Sequence, residues 1–252
     1  MPRTIEQQIH ATYLSLRIGA AVIALVFPVL LFVGGRINHI ELRSSMSDYY
    51  WATQTLPCPC GADTDQKCDR PINPQSPPDD ASDPNKVNPA GTMRSWFVGL
   101  LFATGIILYV NKGHSWWENH CLNAAGVLAW GIAIFPEDWD CYKHSYSMHG
   151  ICAVSFFVCI AIVSAVFSQN TLKLIKKTEV RNRFRLFYIL FAIAMVASPL
   201  VAWAFNTVIR RDSFIYWTEL LGIWAFAGYW IVKTIEMSGP DIESMTIEGI
   251  EH

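Results

Sequence analysis

The residues of this chain that could do chemistry are few, and they gather at the ends of apolar runs. The densest stretch is "FPEDWDCYKHSYSMHG" at 135–150, which holds Glu137, Asp138, Asp140, Cys141, His144 and His149. Asp48 stands in "SMSDYYW", close to Ser44, Ser45 and Ser47, and Glu219 interrupts the otherwise apolar "FIYWTELLGIWAFAGYW". Histidine with carboxyl groups suits zinc or another divalent ion. His144, His149 and Asp140 are therefore the metal candidates, and a divalent ion is the cofactor they could hold. Spacing limits that reading. Ligands on one helical face lie three or four residues apart, whereas five apart sets His144 and His149 about 140° around a helix. A site would need His144 in a turn, His149 in the helix, and Asp48 or Glu219 arriving from elsewhere. Satisfied polar residues at a helix start are the commoner case. The serines could supply a nucleophile for a His149/Asp48 pair, but no nucleophile-elbow pattern surrounds them, and Ser before Asp serves equally well as a cap. Glu219 carries the most information. A carboxyl group at that depth costs roughly 2–3 kcal/mol, so it should face inward and meet a partner, with His149 as the candidate. The competing reading is a plain hydrogen bond between helices.

The elements that must position these residues are membrane spans. The chain has 252 residues, 52% of them apolar and 16% charged, with ten tryptophans. Apolar blocks at 18–33, 96–110, 121–135, 150–167, 186–205 and 214–232 are too uniform for amphipathic core helices. With their flanks, each approaches the roughly 20 residues that cross a bilayer. The expected fold is an all-α integral membrane bundle of six transmembrane helices, at about 14–35, 95–111, 120–136, 148–168, 185–206 and 214–234. The second and third are the shortest, joined only by "NKGHSWWENH", and read as a tight hairpin or a re-entrant pair. Residues 3–13 are amphipathic and expected along the inner interface. The first helix is expected to be retained rather than cleaved, because no small-residue cleavage site follows it.

Basic residues set the orientation. "KLIKKTEVRNRFR" places six positive charges in a short connection, which should be cytoplasmic. Both termini are then cytoplasmic, and 36–95, 136–148 and 206–213 face outward. The segment 52–93, rich in Pro, Asp, Asn and Ser, has little apolar surface to bury and is expected to be a mobile outer-loop insertion. Of seven cysteines, Cys58, Cys60, Cys68 and Cys141 fall outside, where disulfides form. Cys58 and Cys60 are too close to pair with each other. A Cys-x-Cys metal site is the alternative, weighed below disulfides because no paired Cys-x-x-Cys accompanies it. Cys121, Cys152 and Cys159 read as small apolar residues within helices. On the inner side, His10, His114 and His120 lie at the boundary, and His114 to His120 reads as a turn with capping potential.

The order of "SMSDYYW", "FVGLLFATGIILY", "LNAAGVLAWGIAIFP", "MHGICAVSFF" and "WTELLGIWAFAGYWIVKTIEM" resembles the six-helix membrane proteins of the DRAM/Frag-type family and their bacterial relatives of unassigned function. The resemblance implies a Ser-Asp element after the first helix (Ser47, Asp48), a histidine opening the fourth (His149) and a glutamate in the sixth (Glu219). A more distant likeness is to the ceramidase-like membrane hydrolases, which gather Ser, Asp and three His around zinc. The present chain departs from them, with Glu219 and no histidine in its last helix and no seventh span.

These features point first to a non-catalytic or lipid-binding membrane protein, in which Ser47, Asp48, His149 and Glu219 fix helix packing or hold a lipid headgroup or ion. The alternatives are a metal-assisted hydrolase or lipid-modifying enzyme built on His144, His149, Asp48 and Glu219 with a metal-bound water as nucleophile, and a small transporter or a subunit of a larger complex. Membrane lipid, a membrane-protein partner or a second copy are the expected partners. Near-neutral net charge and the absence of any nucleic-acid signature exclude a polyanionic partner.

Overall fold

The computed structural model describes residues 5–40, 42–43, 45–50, 52, 93–135, 147–208 and 214–238. Asp140, His144 and the cysteines Cys58, Cys60, Cys68 and Cys141 lie outside the described residues, as does nearly all of the 52–93 insertion. Every regular element among the described residues is helical: α1 (Ile5–Ile37), a short 3-10 turn (Ser47–Tyr50), α2 (Arg94–Val110), α3 (Trp116–Ile134), α4 (Met148–Ile162), a π turn (Val163–Phe167), α5 (Ser168–Leu172), α6 (Thr178–Val208) and α7 (Phe214–Met237). Four helical stretches are long and apolar enough to cross a membrane, at Ala11–Ile37, Met148–Leu172, Thr178–Ala202 and Ile215–Met237. The chain is thus an all-helical integral membrane protein.

The distribution of side chains follows from a lipid solvent. Ile18, Val22, Leu25 and Val29 recur every three or four residues along α1 and face outward, as do Leu186, Leu190 and Ile193 on α6. A set of ionisable and hydroxyl side chains, among them Arg17, Ser164, Ser168, Ser198, Lys233 and Glu236, instead turns inward. This inversion of a soluble core is what hydrocarbon requires, since a polar group there must find its partner within the protein.

Helices pack mainly in chain order. The closest neighbours are α1 with α2, α2 with α3, α3 with α4, α4 with α6, and α6 with α7, and α7 returns to α1 to close the ring. Small residues allow the tightest approach. A Cβ on Gly126 would lie 2.7 Å from the Gly105 carbonyl oxygen, and one on Gly105 only 2.8 Å from that of Gly126. The α2–α3 hairpin therefore touches backbone to backbone, the contact that drives helix association where no hydrophobic force separates lipid from protein.

Local signals set the helix ends. Ser115 caps α3, its hydroxyl accepting from the Glu118 N–H at 3.1 Å, while Glu118 reaches back to accept from the His114 N–H at 2.9 Å. This is a capping box shifted by one residue. Ser147 caps α4 through the Gly150 N–H. The end of α1 is a Schellman turn. The Ile40 N–H donates to the Gly35 carbonyl at 2.9 Å, and that of His39 to Arg36 at 3.1 Å. His39 takes the left-handed conformation at φ 58°.

Two expectations are corrected here. Residues 5–13 do not form a separate interfacial element, because α1 runs unbroken from Ile5, carrying Gly19 within it and meeting its first proline only at Pro28. The basic connection is also shorter than expected. The helix α6, which corresponds to the expected fifth span at about 185–206, begins at Thr178, so Arg181, Arg183 and Arg185 ride on its first turns, leaving Lys173, Lys176 and Lys177 between helices.

Candidate functional site

At one end of the bundle, the chain leaving α1 folds back over α7, and Glu219 holds it there. The Met46 N–H donates to Oε2 of Glu219 at 2.6 Å, and the Ser45 hydroxyl lies 3.1 and 3.2 Å from its two carboxyl oxygens. Ser45 in turn accepts from the Ser47 N–H at 3.1 Å, with the Ser47 hydroxyl also 3.1 Å away. The whole turn, Ser45 to Tyr50, is buried. Tyr216, one turn before Glu219, donates to the Pro28 carbonyl at 2.7 Å and packs against Tyr49 with ring centroids 6.2 Å apart. Burial raises the Tyr49 hydroxyl above its usual pKa, so it remains a neutral phenol.

Asp48 is buried within this turn and lies in the electrostatic field of Glu219. His149 is buried at the start of α4, where Nδ1 donates to the Phe135 carbonyl at 2.8 Å and ties that helix to the end of α3. Its ring stacks on Phe97, which also meets Phe27 and, edge-on, Tyr50. Ser47, Asp48 and Glu219 are thus brought together directly, while His149 joins the same end through the Phe97 ring. Glu219 has its hydrogen bonds with Ser45 and Met46 rather than with His149. Among the described residues, no three of His, Cys, Asp and Glu gather as a metal-ligand set. The metal candidates His144 and Asp140 lie outside those residues. Cys121, Cys152 and Cys159 are free thiols.

The opposite end holds a second polar cluster that sequence reasoning did not assemble. Lys233 and Glu236, one turn apart on α7, form an ion pair at 2.9 Å with both side chains fully enclosed. Thr171 donates to Oε1 of Glu236 at 2.6 Å and accepts from Lys233, while the Tyr188 hydroxyl donates to Oε2. The Lys233 ammonium also sits 5.5 Å from the Tyr188 ring centroid. Ser168 lies 3.1 Å from the Val163 carbonyl and 3.2 Å from the Tyr229 hydroxyl. The π turn that ends α4 shapes this contact, adding one residue to the helix and directing Ser168 and Thr171 toward α7.

Arg17 and Glu118 are buried in the same region, and His114 lies close to Arg17, Lys233 and Glu236. His114 is exposed on one side, but the protein packed around the rest of its ring lowers its pKa to about 4, with the positive charges of Lys233 and Arg17 adding to the effect. The imidazole is therefore neutral near pH 7. In the sequence, Arg17 and Lys233 stand near the ends of apolar blocks, where a basic residue ordinarily sits at the interface, and His114 and Glu118 fall in the segment that reads as a capped turn. The available signal was the i, i+3 spacing of Lys233 and Glu236 within an apolar helix. No protein-family model, curated protein or solved structure matches this chain.

Proposed function

We propose that the protein is a non-catalytic membrane protein that crosses the bilayer six times with both termini cytoplasmic. Its outer rim, formed by Ser47, Asp48 and His149 on a frame held by Glu219, binds a membrane-lipid headgroup or an ion. The carrying observation is the Glu219 latch. Both carboxyl oxygens accept donors from the 45–46 segment, so the group is occupied in holding that segment rather than presented to a metal-bound water. Buried polar side chains at the rim of an apolar bundle suit a polar group that arrives with its own apolar tail. The α2–α3 hairpin, closed through Gly105 and Gly126, supplies the two shorter crossings, and the basic cluster from Lys173 to Arg185 sets the cytoplasmic side. The likeness to DRAM/Frag-type proteins belongs to the same proposal.

The test is quantitative lipid analysis of the protein purified in mild detergent. The wild type should retain bound phospholipid after extensive washing, and Asp48→Asn combined with His149→Ala should lose most of it while remaining folded. Equal lipid content in the two proteins, or none in the wild type, refutes the reading.

A further inference from the structure

The buried charges of the inner cluster balance one another, Arg17 and Lys233 against Glu118 and Glu236. The charges just outside it do not. From Lys173 to Arg185 the chain carries six basic residues and one acid, Glu179. The local fold turns most of them outward. The Leu174 N–H donates to the Thr171 carbonyl at 3.0 Å and that of Ile175 to the Leu172 carbonyl at 3.2 Å, and the Leu172 and Ile175 side chains are buried. With those two inside, Lys173, Lys176 and Lys177 are exposed, as are Arg183 and Arg185 on the first turns of α6, while Arg181 is half-buried. Among the described residues none of the six forms an ion pair, and Lys173 makes one hydrogen bond, to Oδ1 of Asn170 at 3.4 Å.

Two observations place this surface at the headgroup level of a leaflet. The first is that exposed apolar rows continue directly from the arginines. Phe187 and Leu190 lie one and two turns beyond Arg183, Ile189 and Ile193 one and two turns beyond Arg185, and all four are exposed. Such spacings keep each arginine on the same helical face as its row. The second concerns depth. Thr171 binds Glu236, and His114 lies close to Lys233 and Glu236, so the start of α3 is at this same end. There Trp116 and Trp117 are 63% and 66% exposed, as tryptophans at a membrane interface are. An amphiphile seated here lays its tails along α6 and its headgroup against the arginines. Guanidinium N–H donors match the oxygens of phosphate, and an uncompensated cationic patch favours a negative headgroup over a zwitterionic one.

We propose that the surface formed by Lys173, Lys176, Lys177, Arg183 and Arg185 binds anionic phospholipid of the leaflet at this end of the bundle, with the two arginines as the principal phosphate contacts. A soluble polyanion has no use for the apolar rows beside the cations, and a lipid has. Glu219 and Glu236 stand about 25 Å apart along α7 at 1.5 Å per residue, so this surface and the outer rim meet opposite leaflets and neither depends on the other.

The experiment presents the full chain, in mild nonionic detergent, with equal amounts of phosphatidylglycerol and phosphatidylcholine bearing the same acyl chains. The two lipids retained after washing are then measured. The wild type should retain phosphatidylglycerol in excess at low salt, and the excess should shrink as ionic strength rises. Each cation near a charged headgroup contributes about a fivefold factor, so Arg183→Gln with Arg185→Gln should lower the ratio by about fivefold or more. Glu179→Gln removes the one acid of the patch and should raise it. If the arginine variant does not fold, Lys176→Gln with Lys177→Gln should lower the ratio in its place. Equal retention of the two lipids by the wild type overturns the proposal, and poly-glutamate bound by that same preparation would assign the patch to an acidic protein instead. A ratio unchanged in the arginine variant, or in the lysine variant where the first does not fold, overturns it equally. The outer-rim test reads total phospholipid rather than this ratio, so either reading can fail while the other stands.

Discussion

Replacing Glu219 with alanine isolates the latch that closes the outer end. The substitution removes the acceptors of the Met46 N–H and the Ser45 hydroxyl and leaves both donors in a buried turn. An unsatisfied buried donor costs about 1–3 kcal/mol. Two such losses, partly relieved by water reaching the turn, give about 2–4 kcal/mol. Glu219→Gln keeps one acceptor oxygen and the side-chain volume, so the loss of about one hydrogen bond, about 1 kcal/mol, is expected. For a chain of this size, 1 kcal/mol corresponds to about 2–4 °C in melting temperature. The alanine variant should therefore melt roughly 5–15 °C below the wild type, and the glutamine variant only a few degrees below. Thermal unfolding in detergent reads both. Ser45→Ala supplies the internal control, because adding it to Glu219→Ala should cost much less than the two single losses summed. If the alanine variant melts with the wild type, or the two losses add fully, Glu219 does not hold the turn.

Two further outcomes follow from the helix ends and the inner cluster. His39→Gly relieves a left-handed residue in the Schellman turn and should stabilise the protein by about 0.5–1 kcal/mol; a lower melting temperature would contradict the assigned turn. Because His114 is lowered to about 4 in the fold against about 6.5 unfolded, the unfolded chain binds more protons between those values. Stability should thus fall as pH drops from about 6.5 to about 4, by about 1 kcal/mol or less, because His114 is exposed and solvent screens the charge it gains. His114→Phe should flatten the melting profile across that window, and an unchanged slope would show that other groups dominate it.

The long apolar blocks were legible because hydrocarbon imposes a length and a composition that no soluble helix shares. Glu219 was legible for the same reason, as the one carboxyl group in its run. Its partner was not, because Ser45 and Met46 lie about 174 positions away in a polar segment whose path depends on the Schellman turn and the ring layer of Tyr49, Tyr50 and Phe97. The inner cluster was hidden by an ambiguity of role. Lysine and arginine near span ends commonly snorkel to the interface, so in the sequence Arg17 and Lys233 look like ordinary interfacial residues. Only packing distinguishes a side chain that snorkels outward from one enclosed at 1% exposure, as Lys233 is.

The π turn at Val163–Phe167 makes one helix serve two registers. Residues before it keep the phase that seats His149 and Phe156 on their neighbours, and residues after it keep a phase offset by one position, about 100°. Deleting a single residue from the turn would restore an ordinary α-helix of nearly the same length and hydropathy. It would also swing Thr171 away from Glu236 and Ser168 away from Tyr229 while leaving the outer end undisturbed. The two ends of the bundle can therefore be altered independently by a change that no hydropathy profile would detect.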